Sequence, residues 1–165
     1  EWFATGGRMK TVGIGEYAVV RGEQEGVRTL SLGSCVAIVL VDRVRSVFAL
    51  AHVVLPEADD QADSKPSGYY ADIAVPLLLT DMMRNGSGPR MGPMHVALVG
   101  GGRPGGNTSS VFNIGERNSE AARKALRRFG ITPTVEDLGG QWSRTVVVDR
   151  GGIQVTCPDR APRQL

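Results

Sequence analysis

The stretch RTLSLGSCVAIVLVDRVRSVFALAHVVLP, residues 28–56, holds two short apolar runs, VAIVLVD (36–42) and VFALAHVV (47–54), joined by RVRS (43–46). Both runs are rich in β-branched residues and apolar at consecutive positions, and both are too short for surface helices. They read as two largely buried strands. With a hairpin turning about Arg43-Val44, Val41 faces Ser46, Ala37 faces Leu50 and Cys35 faces His52. Directly opposed residues share one face of a sheet with Cβ atoms about 4.5–5.5 Å apart, within reach of a thiol–imidazole hydrogen bond. A slip of one residue would put the two on opposite faces.

A thiol and an imidazole on apolar strands are more often core residues than catalysts. Their chemistry is nonetheless useful together, because a thiol beside an imidazolium ionises several pH units lower than a free one. Gly33 and Ser34, in LGSC just before the thiol, are small enough to let a substrate carbonyl approach backbone N–H groups that would bind an oxyanion. The residues alone leave both readings open.

Outward from this stretch the chain continues to alternate. MKTVGIGEYAVV (9–20) tends to a strand, and Gly22 and Gly26 bracket a polar turn. EADDQADSKPSG (57–68) is a polar loop. YYADIAVPLLLTDMMRNG (69–86) reads as a helix, with Ala74, Leu77, Leu78 and Met82 on one stripe, Met82 and Met83 as core filler, and a kink or start near Pro76. MHVALVG (94–100) is a third buried strand. SEAARKALRRF (119–129) is an amphipathic helix capped by Asn118 or Ser119, with Gly130 after its last turn. TPTVEDLGG (132–140) and SRTVVVDRGGIQVTC (143–157) supply further strands, with DRGG turning the last hairpin. The order describes one α/β or α+β layered domain, its sheets packed with two or three helices, over residues 9–160. Residues 1–8 read as an extension to be left out of the fold.

Composition narrows the function. The 165 residues suit one domain, and the net charge of +2 with dispersed basic residues gives no footprint for nucleic acid. Arg123, Lys124, Arg127 and Arg128 read as the solvated face of a helix. No apolar run approaches the roughly 20 residues that span a bilayer, so no direct membrane insertion is expected. Two distant cysteines, Cys35 and Cys157, make neither a disulfide framework nor a zinc cluster, which points to a reduced, cytoplasmic setting. Cys157 reads as incidental and His95 as structural. The glycine run at 100–106 lacks the Gly-Lys-Ser/Thr of a phosphate loop, and GIGEY opens no helix, so nucleotide binding is rejected. Asp59, Asp60 and Asp63 lack the calcium-loop pattern and read as solvated. No metal and no organic cofactor is expected.

TLSLGSCVAIVLVD and FALAHVVLP, together with IGEYAV (14–19), YAD (70–72), NIGERN (113–118) and EDLGG (136–140), stand in an order that resembles the CheD family of chemoreceptor glutamine deamidases, from Met9 to Cys157. The resemblance implies a Cys-His-Thr triad at Cys35, His52 and Thr29. The triad would hydrolyse receptor glutamine side chains to glutamate through a thioester, releasing ammonia, and would need no cofactor. It also implies a layered fold like that of deamidating bacterial toxins, and the cytoplasmic helices of chemoreceptors as partners. Some family members also bind the phosphatase CheC, so a regulatory binding module is the alternative from another class. Hydrolysis of receptor glutamyl methyl esters shares the same acyl-enzyme. The chain departs from the family at GGGRPGGNTSSVF (100–112), looser than the usual Gly-Gly-Ala-x-Met-Phe, and at Ser31, where glycine is common.

Overall fold

The structure, a computed structural model, describes residues 7–105 and 113–165. The expected extension at 1–8 and the glycine-rich loop at 100–112 therefore lie partly outside the described residues. The elements in chain order are β1 (Arg8–Thr11), β2 (Tyr17–Arg21), β3 (Glu25–Leu32), β4 (Val36–Asp42), β5 (Val47–Val53), α1 (Ala71–Arg84), β6 (His95–Gly100), α2 (Ile114–Arg127), β7 (Val135–Leu138), β8 (Arg144–Asp149), β9 (Gly152–Cys157) and β10 (Arg160–Gln164). The strands form two five-stranded sheets: a central one ordered β2-β5-β4-β6-β7 and an outer one ordered β1-β3-β8-β9-β10. Both helices pack on the face of the central sheet turned away from the outer one. No helix among the described residues is long and apolar enough to cross a membrane.

This layering accounts for the unbroken apolar runs of β4 and β5. Val36, Ile38 and Leu40, with Val47, Ala49, Ala51 and Val53, pack against the helices. Ala37, Val39 and Val41, with Phe48 and Leu50, pack against Val27, Val146, Val148, Ile153 and Val155 of the outer sheet. A strand covered on both faces has no polar side to show.

The hairpin itself differs from the expectation. Val36 pairs with Val53, Ala37 with His52 and Asp42 with Val47, so Cys35 does not face His52. The connection is the four residues 43–46. Asp42 holds it by accepting from the Arg45 backbone N–H (3.1 Å) and guanidinium (3.1 Å), and Ser46 closes it at φ 53°. The offset is two residues, which preserves the face, so Cys35 and His52 remain on the same side as diagonal neighbours.

Other elements differ too. The segment 9–20 is two strands, with residues 12–16 crossing from the outer to the central sheet. Helix α1 begins at Ala71 and carries Pro76 inside it rather than at its start. Its buried stripe is Ala71, Ala74, Val75, Leu78, Leu79 and Met82, whereas Met83 is 60% exposed and is not core filler. Helix α2 begins five residues before the expected start. Its cap is Asn113, whose side chain accepts from the Glu116 N–H (3.2 Å), and Asn118 lies buried inside it. DRGG turns β8 into β9, but the charged segment beyond Cys157 returns as the edge strand β10, and Leu165 N–H donates to Ile153 (2.8 Å).

Candidate active site

Strand β3 delivers the first component. Thr29 pairs with Val146 but Leu32 with Arg144, so β3 carries one extra residue, a β-bulge in which Ser31 takes φ 57°. The extra residue restores Leu32 to the inward face, where it is fully buried, and swings Gly33-Ser34-Cys35 from the outer sheet to the start of β4. Glycine's freedom at positive φ explains why a glycine suits position 31 as well.

Thr29 points into the space between the sheets and is fully buried. Its Oγ1 donates to the Val12 carbonyl (2.8 Å) and lies 2.6 Å from His52 Nδ1. The hydroxyl has one hydrogen, and that hydrogen serves Val12. Nδ1 must therefore carry the imidazole proton and donate it to Oγ1, leaving Nε2 with its lone pair. Nε2 is buried and has no hydrogen-bond partner among the described residues. The GIGEY turn fixes the His52 backbone from both sides: Gly15 N–H donates to its carbonyl (3.0 Å) and its own N–H donates to Glu16 (2.9 Å). Burial holds the imidazole well below its usual range, at about 4, so the ring is neutral at neutral pH.

Cys35 is half-buried against the core between the sheets, on the same face as His52. Its thiol is not hydrogen-bonded to Nε2. Burial pushes its pKa up, against a smaller lowering by its own backbone N–H. With the imidazole neutral and the thiol's pKa raised, burial favours the neutral form of both groups over a thiolate–imidazolium pair.

The turn before Cys35 is clipped in place from the glycine run. Gly101 N–H donates to the Cys35 carbonyl (2.8 Å) and Gly102 N–H to the Gly33 carbonyl (2.9 Å). Gly100, at φ 115°, has no room for a Cβ, which would fall on the Cys35 carbonyl oxygen. The run read as a weak nucleotide signal is a close-approach device for this turn. Gly33 and Ser34, the expected oxyanion residues, both lie in that turn, and among the described residues the amides of Ser34 and Cys35 donate to no backbone or side-chain oxygen.

One buried residue, read from the sequence as a helix cap, has a different task. Asn118, fully buried in α2, donates through Nδ2 to the Ser34 carbonyl (3.0 Å) and to the Val54 carbonyl (2.9 Å). The NIGERN pattern contained it, but nothing in the pattern marks its last residue as reaching two strands. An apolar groove of about 720 Å³, lined by Met83, Met91 and Phe129, lies at the far end of the helix layer, and a cleft of about 490 Å³ runs between Leu55–Glu57 and α2; neither is lined by Cys35.

The family model described as CheD chemotactic sensory transduction matches residues 54–158. The chain belongs to the CheD family. It is 39% identical to the Syntrophotalea carbinolica protein named "Probable chemoreceptor glutamine deamidase CheD", over 93% of this chain and 97% of that one. It is 42% identical to "Chemoreceptor glutamine deamidase CheD" of Thermotoga maritima, over 83% of each. A Methanococcus maripaludis relative is 36% identical over 86% of this chain and 85% of its own. Within this family frame the quoted patterns acquire structural tasks. Tyr70 of YAD donates to Asp59 (2.7 Å) and Asp72 accepts from Ala58, so the loop 57–68 is pinned at its entry. Asp137 of EDLGG is the hub of an ion cluster with Arg144, Arg160 and Arg163 that joins the sheets.

Proposed function

We propose that this chain is a cysteine-dependent deamidase of chemoreceptor glutamine side chains, with Cys35 as nucleophile, His52 as general base and acid, and Thr29 as the group that orients the imidazole. The observation that carries the reading is His52 itself. It is a buried, neutral imidazole with Nδ1 tied to Thr29 Oγ1 at 2.6 Å and an unpartnered Nε2, on the sheet face that also carries the half-exposed thiol. His95 also leaves a buried Nε2 without a partner among the described residues, so the bare nitrogen alone does not distinguish His52; the Thr29 hydroxyl on its other nitrogen and the thiol on the same face do. The names of the CheD relatives supply the substrate class.

The chemistry follows from the protonation states. Nε2 accepts the Cys35 proton as sulfur attacks the glutamine Cδ, so base and nucleophile act together rather than through a preformed ion pair. The carbonyl oxygen gains charge and is met by the free N–H groups of Ser34 and Cys35. The C–N bond then breaks, ammonia leaves with the proton from Nε2, and a thioester remains. Water, deprotonated by His52, attacks the thioester, releases glutamate and returns the proton to sulfur. Thr29 never touches substrate. It keeps the imidazole in the tautomer that leaves Nε2 free.

The test is incubation of the purified protein with a chemoreceptor cytoplasmic domain, following ammonia and receptor mass. Wild-type protein should release ammonia and add about one mass unit per site. Cys35→Ala should be inactive, and Thr29→Ala slowed by less than the roughly 10²–10⁴-fold that general acid–base catalysis contributes, because Nε2 is still present. Undiminished ammonia release from Cys35→Ala would refute the assignment. Loss of a methylene with no ammonia would assign the acyl chemistry to methyl esters instead.

A further inference from the structure

Asn118 is the other buried group tied to this site, and its bonding is unusual. Its Nδ2 spans two carbonyls, Ser34 immediately before the thiol and Val54 two residues beyond the imidazole, while its Oδ1 is buried with no partner among the described residues. A cap at a helix start would use the oxygen. This residue leaves the oxygen unused and spends both amide hydrogens on the elements that hold Cys35 and His52.

Peptide planarity gives the bond to Ser34 a directional consequence. The Ser34 carbonyl and the Cys35 N–H belong to one trans peptide unit and point in opposite directions. Holding the carbonyl on Asn118 therefore turns the Cys35 N–H away from α2. That N–H donates to no backbone or side-chain oxygen among the described residues. The second arm of the clamp keeps the end of β5 at a fixed distance from the same turn.

We propose that Asn118 is a positioning residue for acyl transfer: by gripping the Ser34 and Val54 carbonyls it aims the Cys35 N–H at the oxygen of the acyl group under attack by Cys35. The inference rests on the reading of Cys35 as an acyl-transfer nucleophile, but not on the identity of the acyl donor. It separates two reactions of one thiol. Attack on a carbonyl builds an oxyanion that the aimed N–H stabilises, whereas alkylation by iodoacetamide displaces iodide and builds none.

The experiment compares these two rates at Cys35 in wild-type protein and Asn118→Ser, with Cys35→Ala as the blank for Cys157. Acylation is read as the nitrophenolate burst with p-nitrophenyl acetate, and alkylation with iodoacetamide by mass, across a range of pH. The expected result is an acylation rate about 10- to 100-fold lower, somewhat less than deletion of an oxyanion donor produces. The alkylation rate should stay within twofold and its pH dependence should not move. Asn118→Asp, which keeps the shape and loses the amide donors, replaces the serine variant if circular dichroism shows that the latter does not fold. Unchanged acylation, or an equal fall in both rates, would overturn the proposal. So would a wild-type thiol that p-nitrophenyl acetate does not acylate. Wild-type acylation without ammonia release from receptor would instead count against the deamidase reading and leave the role of Asn118 standing.

Discussion

At the scale of single residues, the protonation of His52 links the site to stability. The folded imidazole titrates near 4 because of burial, whereas an exposed histidine titrates near 6.5. Between those values the unfolded chain binds a proton that the folded chain refuses, so stability falls as pH drops from 6.5 to 4 and is unaffected above that window. The loss from this 1%-exposed residue should reach about 3 kcal/mol at pH 4. Urea unfolding at pH 7.5 and pH 4 checks it: wild-type protein should lose about that much more than His52→Gln, and equal losses would refute the account. Cys35 and His52 are legible in the sequence because each is a reactive side chain in an apolar run. Their shared face survives a register error of two because side chains alternate with a period of two. Thr29 is reached only through the family resemblance, since a threonine in an alternating strand has nothing to distinguish it. Asn118 reads as a cap because buried asparagines and capping asparagines look alike before the tertiary structure is known.

At the scale of elements, the site depends on turns more than on strands. Gly100→Ala combines a backbone at φ 115° with a Cβ driven onto the Cys35 carbonyl, which already receives the Gly101 N–H. It should destabilise by about 3 kcal/mol or more, the sum of backbone strain and overpacking. Thermal unfolding measures the loss, and a wild-type melting temperature would contradict the packing described. The buried hairpin is legible because both of its strands are apolar throughout. The connection is not, because Asp42 and Ser46 set its length through local hydrogen bonds and a left-handed residue. Strand β10 is hidden by proline and charge, as suits an edge strand. The first turns of α2 are hidden because their buried face is Gly115, Asn118 and Ser119, small and polar residues that let the Gly101 turn come close.

At the scale of the whole molecule, the two sheets are joined near the site by charge as well as by core. Arg144 of the outer sheet is fully buried, reaches Asp137 of the central sheet at 3.4 Å and donates to the Gly100 carbonyl at 3.2 Å. Burial pushes the Asp137 carboxyl up, but the hydrogen bond from Arg160 and the charges of Arg144, Arg160 and Arg163 outweigh it and hold it below the usual range. Asp137→Asn leaves Arg144 as a buried charge without a counterion and should destabilise by about 3 kcal/mol. Chemical denaturation would show it, and a loss under about 0.5 kcal/mol would mean that the cluster contributes little. The layered α+β class is legible from the order of elements. The division into two sheets is not, because β1 pairs with β3 and β6 with β7 across long intervals of chain.

That non-local pairing also bears on when the site comes into being. The Thr29–His52 contact needs both sheets to have met, the Ser34–Asn118–Val54 clamp needs the helix layer to have docked, and the Cys35 turn needs the end of β6. Contacts so distant along the chain form late, after the entropy of closing long loops has been met. An isolated hairpin over residues 33–53 carries the thiol, the imidazole and the Ser34 and Cys35 amides, but lacks the Thr29 contact that orients the ring and the Asn118 clamp on the turn. Under the proposed mechanism, a nascent or half-unfolded chain would carry the thiol without its oriented imidazole, so the chemistry would start only when folding is complete.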